Sequence, residues 1–238
     1  MKLEVIATCI DDALTAEACG ADRIELITAM TEGGLTPGIG LVRQTVKALS
    51  IPVHVMIRPH SRSFVYGPHD ADTMAEEIQA VRAAGAAGIV VGALTGDGRI
   101  DVRLLERLLP LADGMQVTYH RAFDELADLR EGLDVLKQYP AVTRVLTSGG
   151  PLPAPLAVPV IRELVERCGD GPLRILAGHG LTPEGIEGFC RETGVGEVHF
   201  GSSIRFQRSG LAPIDPEALR ALAERLHTEG MRIDRREG

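Results

Sequence analysis

"CGADRIEL", residues 19–26, is the stretch on which the fold turns. Read left to right, it is a helix end, a glycine able to take the left-handed cap conformation, and a strand. The same order returns in "AGAAGIVVG" (84–92) and "TGVGEVHFG" (193–201). Strands that repeatedly follow helices through such joints run parallel, with the helices packed on the sheet. Working outward, short apolar, β-branched runs fall at 3–8, 22–27, 53–58, 88–93, 116–121, 143–148, 173–178 and 196–201. Helical patterns lie between most of them, among them "GIGLVRQTVKALS", "TMAEEIQAVRAAG", "VRLLERLLPLA" and "PEGIEGFCRETG".

Eight such units in 238 residues predict an α/β fold of one domain, the TIM (β/α)8 barrel, whose typical size is about 250 residues. The rival, a doubly wound open sheet that binds a dinucleotide, needs GxGxxG after its first strand. Here that place holds "TCIDDALTAEACG". The proline-rich "GGPLPAPLAVP" (149–159) reads as a loop after the sixth strand. The barrel is expected over 1–208. Residues 209–238 are expected to add a helix at 215–228 and a charged, frayed tail at 229–238, packed on the barrel or extending from it.

Hydrophobic residues make up 45% of the chain and aromatic ones 3%, with no Trp, so the core is aliphatic. A formal charge of −8 argues against nucleic acid or an anionic membrane as partner. No apolar run reaches the roughly 18 residues of a membrane span. The chain enters a strand at once with "KLEVIATC", which points to a cytoplasmic protein. Cys9, Cys19, Cys168 and Cys190 lack the spacing of a zinc site, and read as small buried apolar residues or incidental thiols.

In a barrel strand alternate residues face the helices and the interior. If Val117 and Tyr119 face the helices, Thr118 and His120 face inward. The same rule sends Glu4 and Ile6 of strand one inward, with Glu25 of strand two, His54, Met56 and Arg58 of strand three, and His199 of strand eight. Charged groups among aliphatics are costly unless they meet each other or a ligand. Active sites of this fold sit at the C-terminal mouth, so Glu25, Arg58 and His120 are the candidate catalytic residues. The competing reading is an internal salt-bridge network without chemistry, to which Glu4 and His54, at strand starts, belong equally well. Arg121 and Asp124 follow the fifth strand, and line the rim or form a surface ion pair.

The second constellation is glycine-rich. "LAGHGLTPEG" (176–185) ends strand seven with Gly178 and Gly180, then opens a helix with Thr182 as N-cap and Pro183 in first position. "HFGSSIR" (199–205) brings Gly201, Ser202 and Ser203, and "LTSGG" (146–150) brings Ser148 and Gly149. Exposed backbone N–H groups at loops seven and eight are a usual phosphate site in barrels; the plain alternative is tight turns that need glycine. The loop "PHSRSFVYGPHDADT" (59–73), with Phe64, Tyr66, His60, Arg62 and His69, reads as a lid over the mouth. Lys2, Lys47 and Lys137 all lie away from the mouth, which excludes a Schiff-base aldolase.

With these residues in place, "LEV" (3–5), "GADRIEL" (20–26), "EGGLTPGIGLVR" (32–43), "IPVHVMIRP" (51–59) and "FVY" (64–66) resemble the CutC copper homeostasis family. "GALTGDGRID" (92–101), "VTYHRAFD" (117–124), "VLTSGG" (145–150) and "EVHFGSS" (197–203) continue the likeness, which spans residues 1–205. It implies a TIM barrel, a cytoplasmic home, a homo-oligomer (expected as a homodimer) and copper handling. The family's inward polar residues fall on Glu4, Glu25, Arg58, His120, Arg121 and His199. Where copper-binding members carry cysteine, this chain has Ile6, Ala7 and Ile27, and Cys9 is displaced from those places. Copper is thus implied by resemblance alone, and no metal ligand is assigned. Two functions stay open. One is copper handling without catalysis. The other is an isomerase or lyase acting on a small phosphorylated or carboxylated substrate. In it Arg58 and the N–H groups of loops seven and eight hold the anion, Glu25 and His120 exchange a proton, and Glu4, Arg121, Ser148, Gly149, Gly178, Gly180, His199, Gly201 and Ser202 complete the site.

Overall fold

The eight strands are β1 (Lys2–Ala7), β2 (Arg23–Leu26), β3 (Val53–Met56), β4 (Gly88–Val91), β5 (Gln116–Tyr119), β6 (Val142–Thr147), β7 (Arg174–Ala177) and β8 (Glu197–Phe200). In the computed structural model, which describes residues 1–234 and side chains as far as Thr228, they close into one parallel barrel in sequence order. The helices are α1 (Ile10–Ala18), α2 (Ile39–Ala48), α3 (Pro68–Ala83), α4 (Val102–Leu108), α5 (Leu129–Leu136), α6 (Val158–Cys168), α7 (Ile186–Thr193) and α8 (Pro216–Asp234). The joints are those expected: Gly20, Gly85 and Gly194 all take positive φ between a helix and the next strand.

Local chemistry sets the helix starts. Asp101 caps α4 by accepting from Leu104 N–H, and Asp128 caps α5 by accepting from the N–H groups of Arg130 and Glu131. Pro68 opens α3, with Asp70 accepting from Gly67 N–H at 3.0 Å. Two expectations need correction. Thr182 does not cap α7: its hydroxyl donates to Glu184 O at 3.0 Å, Gly185 takes φ 82, and the helix begins only at Ile186. The last helix does not stop at 228 but continues to Asp234, so most of the expected tail is helical backbone; residues 235–238 lie outside the described residues. Gly230 lowers helix propensity there without ending it.

The alternation holds except in β6, where the register to β5 shifts at Thr143 and leaves both Val142 and Val145 on the helix side. Leu3, Val5, Ile24, Leu26, Val117, Tyr119, Val198 and Phe200 are buried against the helix layer. Inside the barrel, register carries one polar tier around the ring: Glu4 lies opposite Arg23 and His199, Glu25 opposite His54, and Thr118 opposite Arg144. Above it sits a small apolar cluster of Ile27, Met56 and Val90, with Ile6 and Met30. Among the described residues no helix is long and apolar enough to cross a membrane.

Candidate functional site

The lower tier is satisfied by its own charges. Arg23 donates from Nε to Glu4 at 2.5 Å and from Nη2 to Glu197 at 2.7 Å, and Arg144 Nε reaches the same Glu197 oxygen at 2.8 Å. Burial works against the charge on Glu4, yet Arg23 and His199 outweigh it and hold the carboxyl below the usual carboxylate range. Glu4 is fully buried beneath the mouth and belongs to this network. Arg23, Arg144 and Glu197 were not singled out in the sequence, although they share the inward phase of Glu25 and His199.

Above this floor lies a cavity of about 490 Å³ at the C-terminal end of the barrel, a size typical of small-molecule sites. Glu25, Arg58, His120 and His199 line it, as do Arg121, Gly180, Gly201 and Ser202 on the loops. Two strands, β2 and β8, the segments just past the ends of β3 and β5, and loops distant in sequence meet there. Gly178 does not reach the cavity but packs beside it: a Cβ at that position would stand 2.8 Å from Leu146 and 3.2 Å from His199. Ser148 and Gly149 lie outside the cavity, and their donors are already used. Asp124 accepts from Ser148 N–H and Oγ–H and from Gly150 N–H, while Gly149 N–H donates to Thr147 Oγ1. Asp124 also holds Arg121 Nε at 2.9 Å. The pair Arg121–Asp124 is therefore an anchor for loop six, with Arg121 at the rim.

Glu25 is 2% exposed and makes no hydrogen bond; Oε1 is unpartnered, and Oε2 stands 3.8 Å from His199 Nε2. Burial, helped by the charge of Glu4 and opposed by His199 and Arg23, pushes its carboxyl up to about 7. His199 is fixed from behind by Glu4, Nδ1 to Oε1 at 2.7 Å. Burial opposes its charge, but Glu25 and Glu4 together raise it above the ordinary histidine value. His120 is different. Ala122 N–H donates to its Nδ1 at 3.1 Å, and Nε2 has no partner. Burial first, then Arg58, holds it down to about 3, so the ring is neutral. The expected partnership of Glu25 with Arg58 and His120 is not made: Glu25 faces His199 instead, because β2 and β8 both neighbour β1 whereas β5 lies across the barrel.

Arg58 donates from Nη1 to the carbonyl oxygens of Glu32 (3.0 Å) and Gly34 (3.1 Å) and leaves Nε unpartnered. Phe64 covers it, ring centroid 4.7 Å from the guanidinium carbon, and packs at a tilt against His120, centroids 4.9 Å apart. The expected lid is shorter than 59–73, because Pro68 starts α3; its tip is pinned where Leu94 N–H donates to Phe64 O at 2.8 Å. Of the residues named in it, Phe64 lines the cavity, while His60 packs against Tyr66. Met30, Glu32, His179, Leu181 and Arg208 also reach the cavity. No spacing in the sequence marks them.

Among the described residues, one group of three or more His, Cys, Asp and Glu side chains could hold a metal: Glu4, Glu25 and His199, with ligand atoms within 4.8 Å of one another. Both oxygens of Glu4 are already engaged. No cysteine lines the cavity. Cys9 and Cys19 flank the nine residues of α1, roughly 15 Å apart at helical rise, and cannot share an ion. Met30 and Met56 belong to the apolar cluster and also line the cavity, where their thioethers are its only soft donors among the described residues. The set lacks the thiolates of a cysteine-based Cu(I) centre.

Fold and mouth together define the class, a TIM barrel with a polar cavity at the C-terminal end of its strands. Within that class the model of the CutC family matches residues 1–204, and the chain belongs to that family. A relative named as a family protein CutC in Serratia proteamaculans (strain 568) is 39% identical over 217 residues, covering 89% of this chain and 84% of its own. Another in Rhizobium meliloti (strain 1021) is 38% identical over 244 residues, covering 98% and 96%. The crystal structure of a CutC from Streptococcus agalactiae, named for copper homeostasis, superposes with a TM-score of 0.78 at 30% identity, covering 84% of this chain and 97% of that one. N-(5'-phosphoribosyl)anthranilate isomerase from Pyrococcus furiosus, at TM-score 0.63 and 15% identity over 96% and 99% of the chains, shares the fold alone. CutC is by name a copper homeostasis family, and the link of this chain to copper rests on that name.

Proposed function

We propose that the mouth of the barrel binds a small organic anion, bearing a phosphate or carboxylate, and that the protein acts on it by moving a proton. The observation that carries this reading is Arg58. The residue is 7% exposed, lines the cavity and forms no ion pair among the described residues. A buried cation without a counter-ion is expensive, and a bound anion removes that cost. Glu25 and His199 supply a carboxyl and an imidazole facing each other in the same cavity, the pairing that general acid–base work requires. Copper handling, the role carried by the family name, is the second reading; the thiolate-free cavity does not favour it.

The test is thermal melting of the wild type and of Arg58→Met with phosphate, sulfate and a panel of sugar phosphates. Arg58→Met has two opposed effects on the baseline melt, relief of an unpaired buried charge and loss of the donor to two carbonyl oxygens. The decisive quantity is the shift that ligand adds to each protein. At about 100 times the dissociation constant a ligand adds roughly 2.7 kcal/mol to the wild type, and the variant gains nothing. A wild-type melt unmoved by every anion overturns the reading.

A further inference from the structure

His120 is set up as a hydrogen-bond donor, not as a base. A ring nitrogen that accepts a hydrogen bond carries the lone pair, so in the neutral ring the proton sits on the other nitrogen. Here Nδ1 accepts from Ala122 N–H, which places the proton on Nε2, a buried atom with no partner on a residue that lines the cavity. The ring cannot easily turn. Phe64 lies on one side, and Gly92 lies so close that a Cβ there would stand 2.6 Å from Nδ1. An unfilled buried donor beside a cavity asks for an acceptor. Arg58 already provides the full positive charge that an anionic group needs. The neutral N–H suits an uncharged oxygen that gains charge only as a reaction proceeds.

Resting on the reading of the mouth as an anion site, we propose that its ligand is a phosphorylated or carboxylated carbonyl compound, with His120 Nε2–H on the carbonyl oxygen and Glu25 exchanging a proton at the adjacent carbon. Glu25 Oε1 is unpartnered, and Glu25 and His120 come from β2 and the end of β5, so they approach the cavity from different sides. The raised carboxyl of Glu25 makes it a stronger base than an ordinary carboxylate once ionised, and His199, steadied by Glu4, faces it. In the step, the carboxylate takes the proton from carbon, and the C–H electron pair becomes the new C=C bond. The carbonyl π pair moves onto oxygen, where His120 donates to it. Return of the proton to the same carbon regenerates the starting compound. Return to the former carbonyl carbon, with the hydroxyl proton passed between the oxygens, gives the isomer of an α-hydroxy carbonyl. Nothing is oxidised or reduced overall, and no co-reactant is needed.

The experiment compares matched pairs that differ only at the carbonyl: dihydroxyacetone phosphate against glycerol 3-phosphate, and pyruvate against lactate. One arm therefore reads the phosphate and the other the carboxylate. In at least one pair the carbonyl compound binds about tenfold more tightly, the worth of one good hydrogen bond, and the protein speeds exchange of its C–H protons in D2O as followed by NMR. His120→Ala removes both effects, His120→Gln restores part of the preference through its own N–H, and Gly92→Ala weakens it by displacing the ring. In the wild type, 15N NMR finds His120 neutral with its proton on Nε2 from about pH 5 to about pH 8. Equal binding of ketone and alcohol overturns the carbonyl assignment and leaves the anion site standing. A proton on Nδ1, or a charged ring in that range, overturns it whatever binds. If none of the four compounds binds, the carbonyl assignment falls, and the anion site falls with it when phosphate and sulfate also leave the melt unmoved.

Discussion

At Glu25 the two demands on a protein side chain oppose each other. Burial and the neighbouring Glu4 charge raise its carboxyl to about 7, while His199 and Arg23 pull the other way. A carboxyl raised in the folded state contributes stability that is complete below its ordinary value, and that is lost as pH rises toward the folded value. The window runs from about 4.5 to about 7. Glu25→Gln is therefore expected to melt like the wild type near pH 4 and higher than it at pH 8, by roughly 3 kcal/mol at most. Proton exchange runs the other way, because the base is the ionised form, and should rise with pH through about 7. His54 and His120, both held down to about 3 by burial, give stability that is lost as pH falls below the ordinary histidine value. Melting curves of wild type and Glu25→Gln across that range decide the matter; parallel curves would show that Glu25 keeps an ordinary carboxyl.

At the scale of the element, the strands carry both the packing and the site, and the glycines mark where an inward side chain needs room. Gly88 of β4 lies opposite His54, and a Cβ there would stand 2.6 Å from the imidazole and 2.8 Å from Gln116 O. Backbone cannot yield as a flexible side chain can. Gly88→Ala is expected to cost about 1–3 kcal/mol by overpacking, read as a lower urea midpoint with an unchanged slope. An unchanged midpoint would mean that the tier of His54 is looser than the structure shows. The strand alternation was legible because period two is written into each run. The loops were less so. Thr182-Pro183 reads as a helix start, yet Gly185 in the left-handed conformation comes first. Ser148 and Gly149 read as free donors, yet Asp124, more than twenty residues away, takes the Ser148 N–H, and Thr147 Oγ1 takes that of Gly149.

Across the whole molecule, closure of the ring brings β8 beside β1 and lets Glu197 join Arg23 and Arg144 from three different strands. Burial opposes its ionisation, but the two guanidinium groups hold Glu197 below the ordinary carboxylate range. Its stability is present above that range and is lost as pH falls through it. Glu197→Gln leaves two buried arginines sharing less negative charge, and is expected to cost about 3–5 kcal/mol. Chemical denaturation at neutral pH measures it. A loss below about 1 kcal/mol would place the network with weak surface pairs.

The sequence alone determined the barrel, the inward phase of Glu4, Glu25, His54, Arg58, His120 and His199, and the CutC likeness. Each of these is a local or periodic property, repeated strand after strand. Tertiary structure alone decided the partners. Glu25 faces His199 and not His120, because neighbours in a closed ring are set by strand order and register. His120 is a donor and not a base, because a backbone N–H two residues on claims Nδ1, and Gly92 and Phe64 confine the ring. Arg58 is left without a carboxylate because the loop around Glu32 and Gly34 meets it with carbonyl oxygens. A side chain's direction follows from its position along a strand, but its charge state and its proton depend on which distant atoms the fold brings within about 3 Å of it.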